Sequence, residues 1–98
     1  MRYLVILDAR SATGSIYASG NNDGFVRDGE LRHPFLDCSE VVTDAPYYLF
    51  AKRDRSRQGQ SYQSMYIPHG SIVYIHCYAD EEPRPIGFMP PEIGKGGS

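Results

Sequence analysis

Residues 65–75 read Met-Tyr-Ile-Pro-His-Gly-Ser-Ile-Val-Tyr-Ile. Two short β-prone runs meet at a Pro-His-Gly-Ser corner. A strand turned there cannot continue in its direction, so its hydrogen-bonding edges must find new partners. A small sheet bent at such a corner moves toward a barrel and leaves an edge for a second copy of itself. The stretch speaks to fold and assembly and does not name a ligand.

Ser71 to Tyr78 follows the corner as one strand, and Ser61 to Ile67 precedes it as another. Tyr47 to Ala51 is a third. Tyr3 to Leu7 is a continuous apolar run without alternation, the mark of a strand covered on both faces. Leu31 to Thr43 is extended but contains Pro34, which removes a ladder donor. That strand is therefore expected at an edge, bent, or beginning after the proline. Asn21-Asn22-Asp23-Gly24 and Asp28-Gly29 are turn signals. Ser15 to Ala18 reads as a short pairing segment. No stretch holds a 3.6-residue apolar period over ten residues, so low helix content is expected.

The bulk numbers bound the rest. Ninety-eight residues, 41% hydrophobic and 12% aromatic, supply one core. The division expected is a β domain over residues 1–78 and a Pro/Gly-rich arm over 79–98. The arm carries Pro83, Pro85, Pro90 and Pro91, but also the apolar Ile86, Phe88, Met89 and Ile93. Docking of part of it competes with a plain tail. A formal net charge of -2 argues against a generic basic nucleic-acid binder. No apolar run reaches membrane-span length, and the N-terminus lacks a signal-peptide pattern. Two cysteines far apart in sequence, Cys38 and Cys77, read as free thiols of a reducing compartment, so a cytoplasmic protein is expected.

The strand pattern ending in Ile67-Pro-His-Gly-Ser-Ile72-Val-Tyr-Ile75 resembles the Sm-like family, the Sm, LSm and Hfq proteins. Its second motif commonly places Ile-Arg-Gly and two small polar residues before a further apolar strand. The spacing from Ile67 to Ile72 matches, whereas Pro68 and His69 replace the Arg-Gly pair. Asp44-Ala-Pro-Tyr47-Tyr48-Leu49 matches the end of the first motif, with Tyr48 in place of its Asn and Gly29 as its start. The short N-terminal helix of the family has no counterpart, and residues 8–28 exceed its first hairpin. The resemblance implies an all-β, small, strongly bent five-stranded barrel, here with a long N-terminal loop insertion and an extended C-terminal tail.

The same resemblance implies a homo-oligomeric ring, hexameric or heptameric, in which the last strand of one copy pairs with the fourth of the next. The interface candidates are Tyr62, Met65, Tyr66, Ile67, Ile72, Val73, Tyr74 and Ile75. The competing arrangement is a monomer whose tail covers the edge. By position, the turns that would face the pore nominate Asp44, Tyr47, Tyr48, His69 and Gly70 as contacts to single-stranded RNA. Arg53, Arg55 and Arg57, with Lys52, form a basic cluster that either meets phosphate or is a solvated loop. The bland reading has Asp44 capping a turn, a tyrosine packing in the core and His69 solvated at the corner. A ring that binds protein instead of RNA is the alternative function. It is told apart by an apolar or acidic pore face in place of a positive one.

Catalytic and metal readings have little to stand on. His33, His69, His76, Cys38 and Cys77 lack zinc-ligand spacing. No serine lies in a Gly-x-Ser-x-Gly elbow, and no glycine loop has phosphate-binding spacing. A non-enzymatic protein without cofactor or membrane partner is expected.

Overall fold

A computed structural model of the chain describes residues 1–53 and 63–81, and the backbone of Phe88–Met89. Eight strands and one α-helix occur among these residues: β1 (Arg2–Leu7), α1 (Ala12–Ala18), β2 (Phe25–Asp28), β3 (Leu31–Cys38), β4 (Glu40–Val42), β5 (Tyr48–Arg53), β6 (Gln63–Pro68), β7 (Ile72–Tyr78) and β8 (Phe88–Met89). They form two antiparallel sheets, ordered β7-β1-β3-β2-β8 and β4-β5-β6. The sheets do not close into a barrel, so the fold is mostly β without the closed five-stranded form expected from sequence.

One bent strand joins the two sheets. β3 pairs with β1 and β2, and after Ser39 the chain continues as β4 against β5. The Ser39 N–H donates to the Lys52 carbonyl at 2.8 Å, which makes the bend part of the second ladder. Phe35 bonds the Gly24 carbonyl and the Asp23 N–H on the β2 side. The neighbouring Pro34 therefore turns its donorless nitrogen to the β1 side, beyond the last β1 pair, Ile6 with Phe35. Of the three alternatives for this segment the bent strand is the one found, with the bend at Ser39; β3 begins before Pro34, at Leu31, and lies inside the sheet, because the ladder demands no donor there.

β1 is covered on both faces, as its unbroken apolar run requires. Val5 and Leu7 face a core shared with Leu36, Cys38, Leu49, Ala51 and Ile67. Leu4 and Ile6 face the other way, with Phe35, Val26 and Tyr78. The Gly29 turn between β2 and β3 has φ of 64°, the left-handed conformation that glycine adopts without strain.

The Ser15–Ala18 segment is helical rather than paired. Ser11 caps α1: its Oγ accepts the Gly14 N–H at 2.9 Å and donates to the Asp8 carbonyl at 2.7 Å. Gly14 is buried so tightly that a Cβ there would collide with that same carbonyl. Seven residues make two turns, too few for the periodicity that would have marked a helix. Arg10 beside Asp8 holds the aspartate carboxyl below its usual range, by its side-chain and then its backbone hydrogen bond.

The arm docks in part on its own domain: Phe88 pairs with Val26 and Met89 with Phe25. It covers the β2 edge, at the opposite end of the sheet from β7. Among the described residues, no helix is long and apolar enough to cross a membrane.

Candidate functional site

β6 and β7 follow one another, separated only by a single 3-10 turn, His69–Ser71, yet they do not pair with each other. Pro68 ends β6, and the Ile72 N–H bonds the His69 carbonyl to close the turn. β6 remains in the second sheet while β7 crosses to the first, where it lies against β1. The Asp8 N–H, at the end of β1, donates to the Ser71 carbonyl at 2.7 Å and fixes the turn from that side. One extra residue, Val73, bulges β7 between the Ile6–Tyr74 and Leu7–Ile72 pairs. Among the described residues each of the two strands ends its sheet, so each has an outer edge without a ladder partner.

The turn is stitched to the loop before β5. The His69 N–H donates to the Tyr47 carbonyl at 3.0 Å. His69 Nε2 lies 2.8 Å from the Ala45 carbonyl, which only accepts, so this nitrogen carries the proton. The loop carrying Asp44, Tyr47 and Tyr48 thus lies beside the turn carrying His69 and Gly70. Tyr47 is 76% exposed and Tyr48 49% exposed, so neither packs in the core. Asp44 and Gly70 are exposed, and His69 is half-buried.

Strand alternation extends this site onto the outer face of the second sheet. Leu49, Ala51 and Ile67 point to the core, so Tyr48, Phe50, Tyr66 and Pro68 point outward. Tyr48 stands opposite Pro68, and Phe50 opposite Tyr66. The Phe50 and Tyr66 rings lie 5.5 Å apart at an interplanar angle of 59°, a tilted pairing favoured by aromatic quadrupoles. Tyr66 is 72% exposed. Phe50 and Pro68 are members of this face that the sequence reading does not nominate as site residues. The two-residue alternation within Tyr47 to Ala51 carried the signal, since it puts Phe50 on the face of Tyr48.

Of the basic cluster, Lys52 joins this face, opposite Ser64 and one pair beyond Phe50–Tyr66, and Arg53 points the other way. Lys52 and Arg53 belong to β5 rather than to a loop, and Arg55 and Arg57 lie outside the described residues. Arg53 has 0% exposure, which removes it as a phosphate contact. Its guanidinium donates to the Asn21 carbonyl and Gln63 Oε1, each at 2.9 Å, and to Asp23 Oδ2 at 2.9 Å. Among the described residues of the two stitched loops, Asp44 is the one permanently charged side chain.

The interface candidates divide. Tyr66, Val73 and Tyr74 are exposed. Ile67 is 1% exposed and sits in its own core, while Met65, Ile72 and Ile75 pack against that core. Met65, Ile72 and Ile75 are half-buried, because alternate residues of an edge strand serve the interior. Tyr62 lies outside the described residues.

The cysteines are both free. Cys38 and Cys77 flank Tyr3 in register on opposite sides of β1, two strand spacings or about 10 Å apart. That separation exceeds disulfide reach, about 7 Å. Burial pushes the Cys38 thiol up to about 12, leaving it unreactive as a nucleophile near neutrality. Among the described residues, no group of three or more potential ligands stands ready for a metal ion. Comparison of the chain with protein-family models, curated proteins and solved structures gave no match.

Proposed function

We propose that this chain is a self-assembling β module of Sm-like type, which joins copies through β6 and β7 and offers the stitched loops and aromatic face to a protein partner. The observation that carries the reading is the pair of open edges. Among the described residues, two consecutive strands in different sheets each end their sheet, and the docked tail strand covers neither edge. Such edges favour pairing with another chain, and a heterologous β6-to-β7 contact can close into a ring. The bent strand β3–β4, the placement of β7 on β1 and the 3-10 corner all support an Sm-like plan. In that plan α1 and β2 form the insertion between the first and second barrel strands.

A protein partner is favoured over RNA by charge. Phosphate attraction supplies most of the affinity in nucleic-acid binding, and the described loop residues offer Asp44 without a fixed cation. RNA remains the second reading, because Tyr47 and Tyr48 are exposed at the loops where a base would stack. Native mass spectrometry of the purified particle, with its absorbance ratio, tests both parts. An oligomer free of nucleic acid is expected. A monomer at micromolar concentration defeats the assembly reading, and co-purifying RNA defeats the choice of partner.

A further inference from the structure

We infer that His33 is an acid-sensitive latch on the loop between β1 and α1, released when its imidazole takes a second proton. His33 lies on β3 and is buried. The pairing of β1 with β3 ends at Ile6 and Phe35. Beyond that point the loop meets β3 through a side chain instead of a ladder: the Ala9 N–H donates to His33 Nδ1 at 3.0 Å. A ring nitrogen that accepts carries no proton, so the neutral imidazole holds its proton on Nε2. That nitrogen faces the Asp28 carboxylate of β2, with Oδ2 3.6 Å away.

A second proton must go to Nδ1. Two donors, Nδ1–H and the Ala9 N–H, then confront each other where water has little access, so the loop or the ring must move. The Ala9 bond opposes that protonation, and the surrounding carboxylates favour it. Asp28 attracts the imidazolium from β2, and Asp8 attracts it from the loop. Arg10 opposes them, but its charge is engaged by Asp8, with Nε 3.1 Å from Oδ1. The helix α1 also packs on β3 and carries no carboxylate, lysine or arginine. Much hangs on this loop. The Asp8 carbonyl accepts the Ser11 N–H at 3.0 Å and the Ser11 hydroxyl at 2.7 Å, which sets the cap of α1. The Asp8 N–H holds the Ser71 carbonyl at the corner before β7. Release at Ala9 loosens the helix cap and the corner together, in a single copy of the chain and independently of assembly.

The test is an NMR titration of the full chain from about pH 8 to about pH 5, the interval in which histidine ordinarily changes charge. Ring nitrogen resonances report the tautomer and protonation of His33, and backbone amides report the loop. At the upper limit the proton is expected on Nε2. As the ring takes its second proton, the Asp8, Ala9, Ser11 and Ile72 amides are expected to shift with the same midpoint. Exchange of the Ala9 amide, corrected for its intrinsic pH dependence, is expected to speed up on the order of tenfold, as for loss of one hydrogen bond. Arg10 holds the Asp8 carboxyl below its usual range, so Asp8 stays charged throughout. His33→Asn offers an acceptor near the place of Nδ1 without a titrating group, and its loop amides should stay fixed over the same interval. Circular dichroism verifies that the variant folds, and the wild-type titration stands without it. A proton on Nδ1 at the upper limit, a ring that takes no second proton by the lower limit, or a ring that titrates while the Ala9 amide stays fixed overturns the inference. An equal response in the folded asparagine variant does so too.

Discussion

The Arg53 guanidinium donates to Asp23 Oδ2 at 2.9 Å across the junction of the two sheets. Asp23 lies in the loop before β2, and Arg53 ends β5. The same Asp23 oxygen accepts the Asp37 N–H at 2.7 Å. A fully buried cation thus ties the loop before β2 to the bent strand and to the second sheet. Its Nε has no hydrogen-bond partner, so the guanidinium is not fully compensated.

Arg53→Ala leaves the Asp23 carboxylate without its cation partner. The expected loss is roughly 3–5 kcal/mol, the range for breaking a buried pair from one side. Arg53→Lys restores the charge but not the fork that reaches Asn21, Gln63 and Asp23 together. Urea unfolding followed by circular dichroism should rank wild type above Lys and Lys above Ala. Equal stability of all three would remove Arg53 as a structural tie.

Gly14→Ala places a methyl group against the Asp8 carbonyl, where backbone cannot yield cheaply. The general gain of helix propensity, about 1 kcal/mol for Gly to Ala, should be outweighed by overpacking of roughly 1–3 kcal/mol or more. A lower urea midpoint is expected, together with faster exchange of the Asp8 amide that bonds Ser71. A stabilised variant would show that α1 does not sit as closely as described.

Cys38 gives a pH signature whose sign follows from burial. Its folded pKa is raised to about 12 from an ordinary value of 9.0. The folded state therefore keeps a proton that the unfolded chain gives up. This contribution is intact below about pH 9 and is lost as pH rises toward 12, at about 1.4 kcal/mol per pH unit within that window. Tyrosines and lysines titrate there too, so the measurement is the difference between wild type and Cys38→Ala. The variant should lose less stability between pH 9 and 11. A thiol reagent at neutral pH should modify the exposed Cys77 and spare Cys38; equal rates would contradict the burial.

Val73→Lys charges the exposed bulge of β7 without entering either core. Charged residues on an edge strand oppose pairing with another chain. The variant should retain its circular dichroism spectrum and lose assembly by light scattering. An unchanged particle would show that β7 is not the joining edge.

Much of the strand plan was legible because burial writes it into the chain. The unbroken Tyr3–Leu7 run marks β1, and the alternation in β5 separates Leu49 and Ala51 from Tyr48 and Phe50. The corner at Pro68 was legible because proline and glycine break a ladder. Three features were hidden. A two-turn helix held by Ser11 and Gly14 has no period to read. Pro34 is tolerated inside a sheet through the direction of its nitrogen, which depends on where β1 ends. Arg53 looks from composition like part of a solvated basic run, and only the fold shows it turned inward, toward acceptors 30 and 32 residues earlier in sequence.

Whether β6 and β7 meet in neighbouring copies is measured most directly by native mass spectrometry of the full chain. A closed oligomer is expected at micromolar concentration, falling to monomer with Val73→Lys. A wild-type chain that remains a single copy across that range contradicts it.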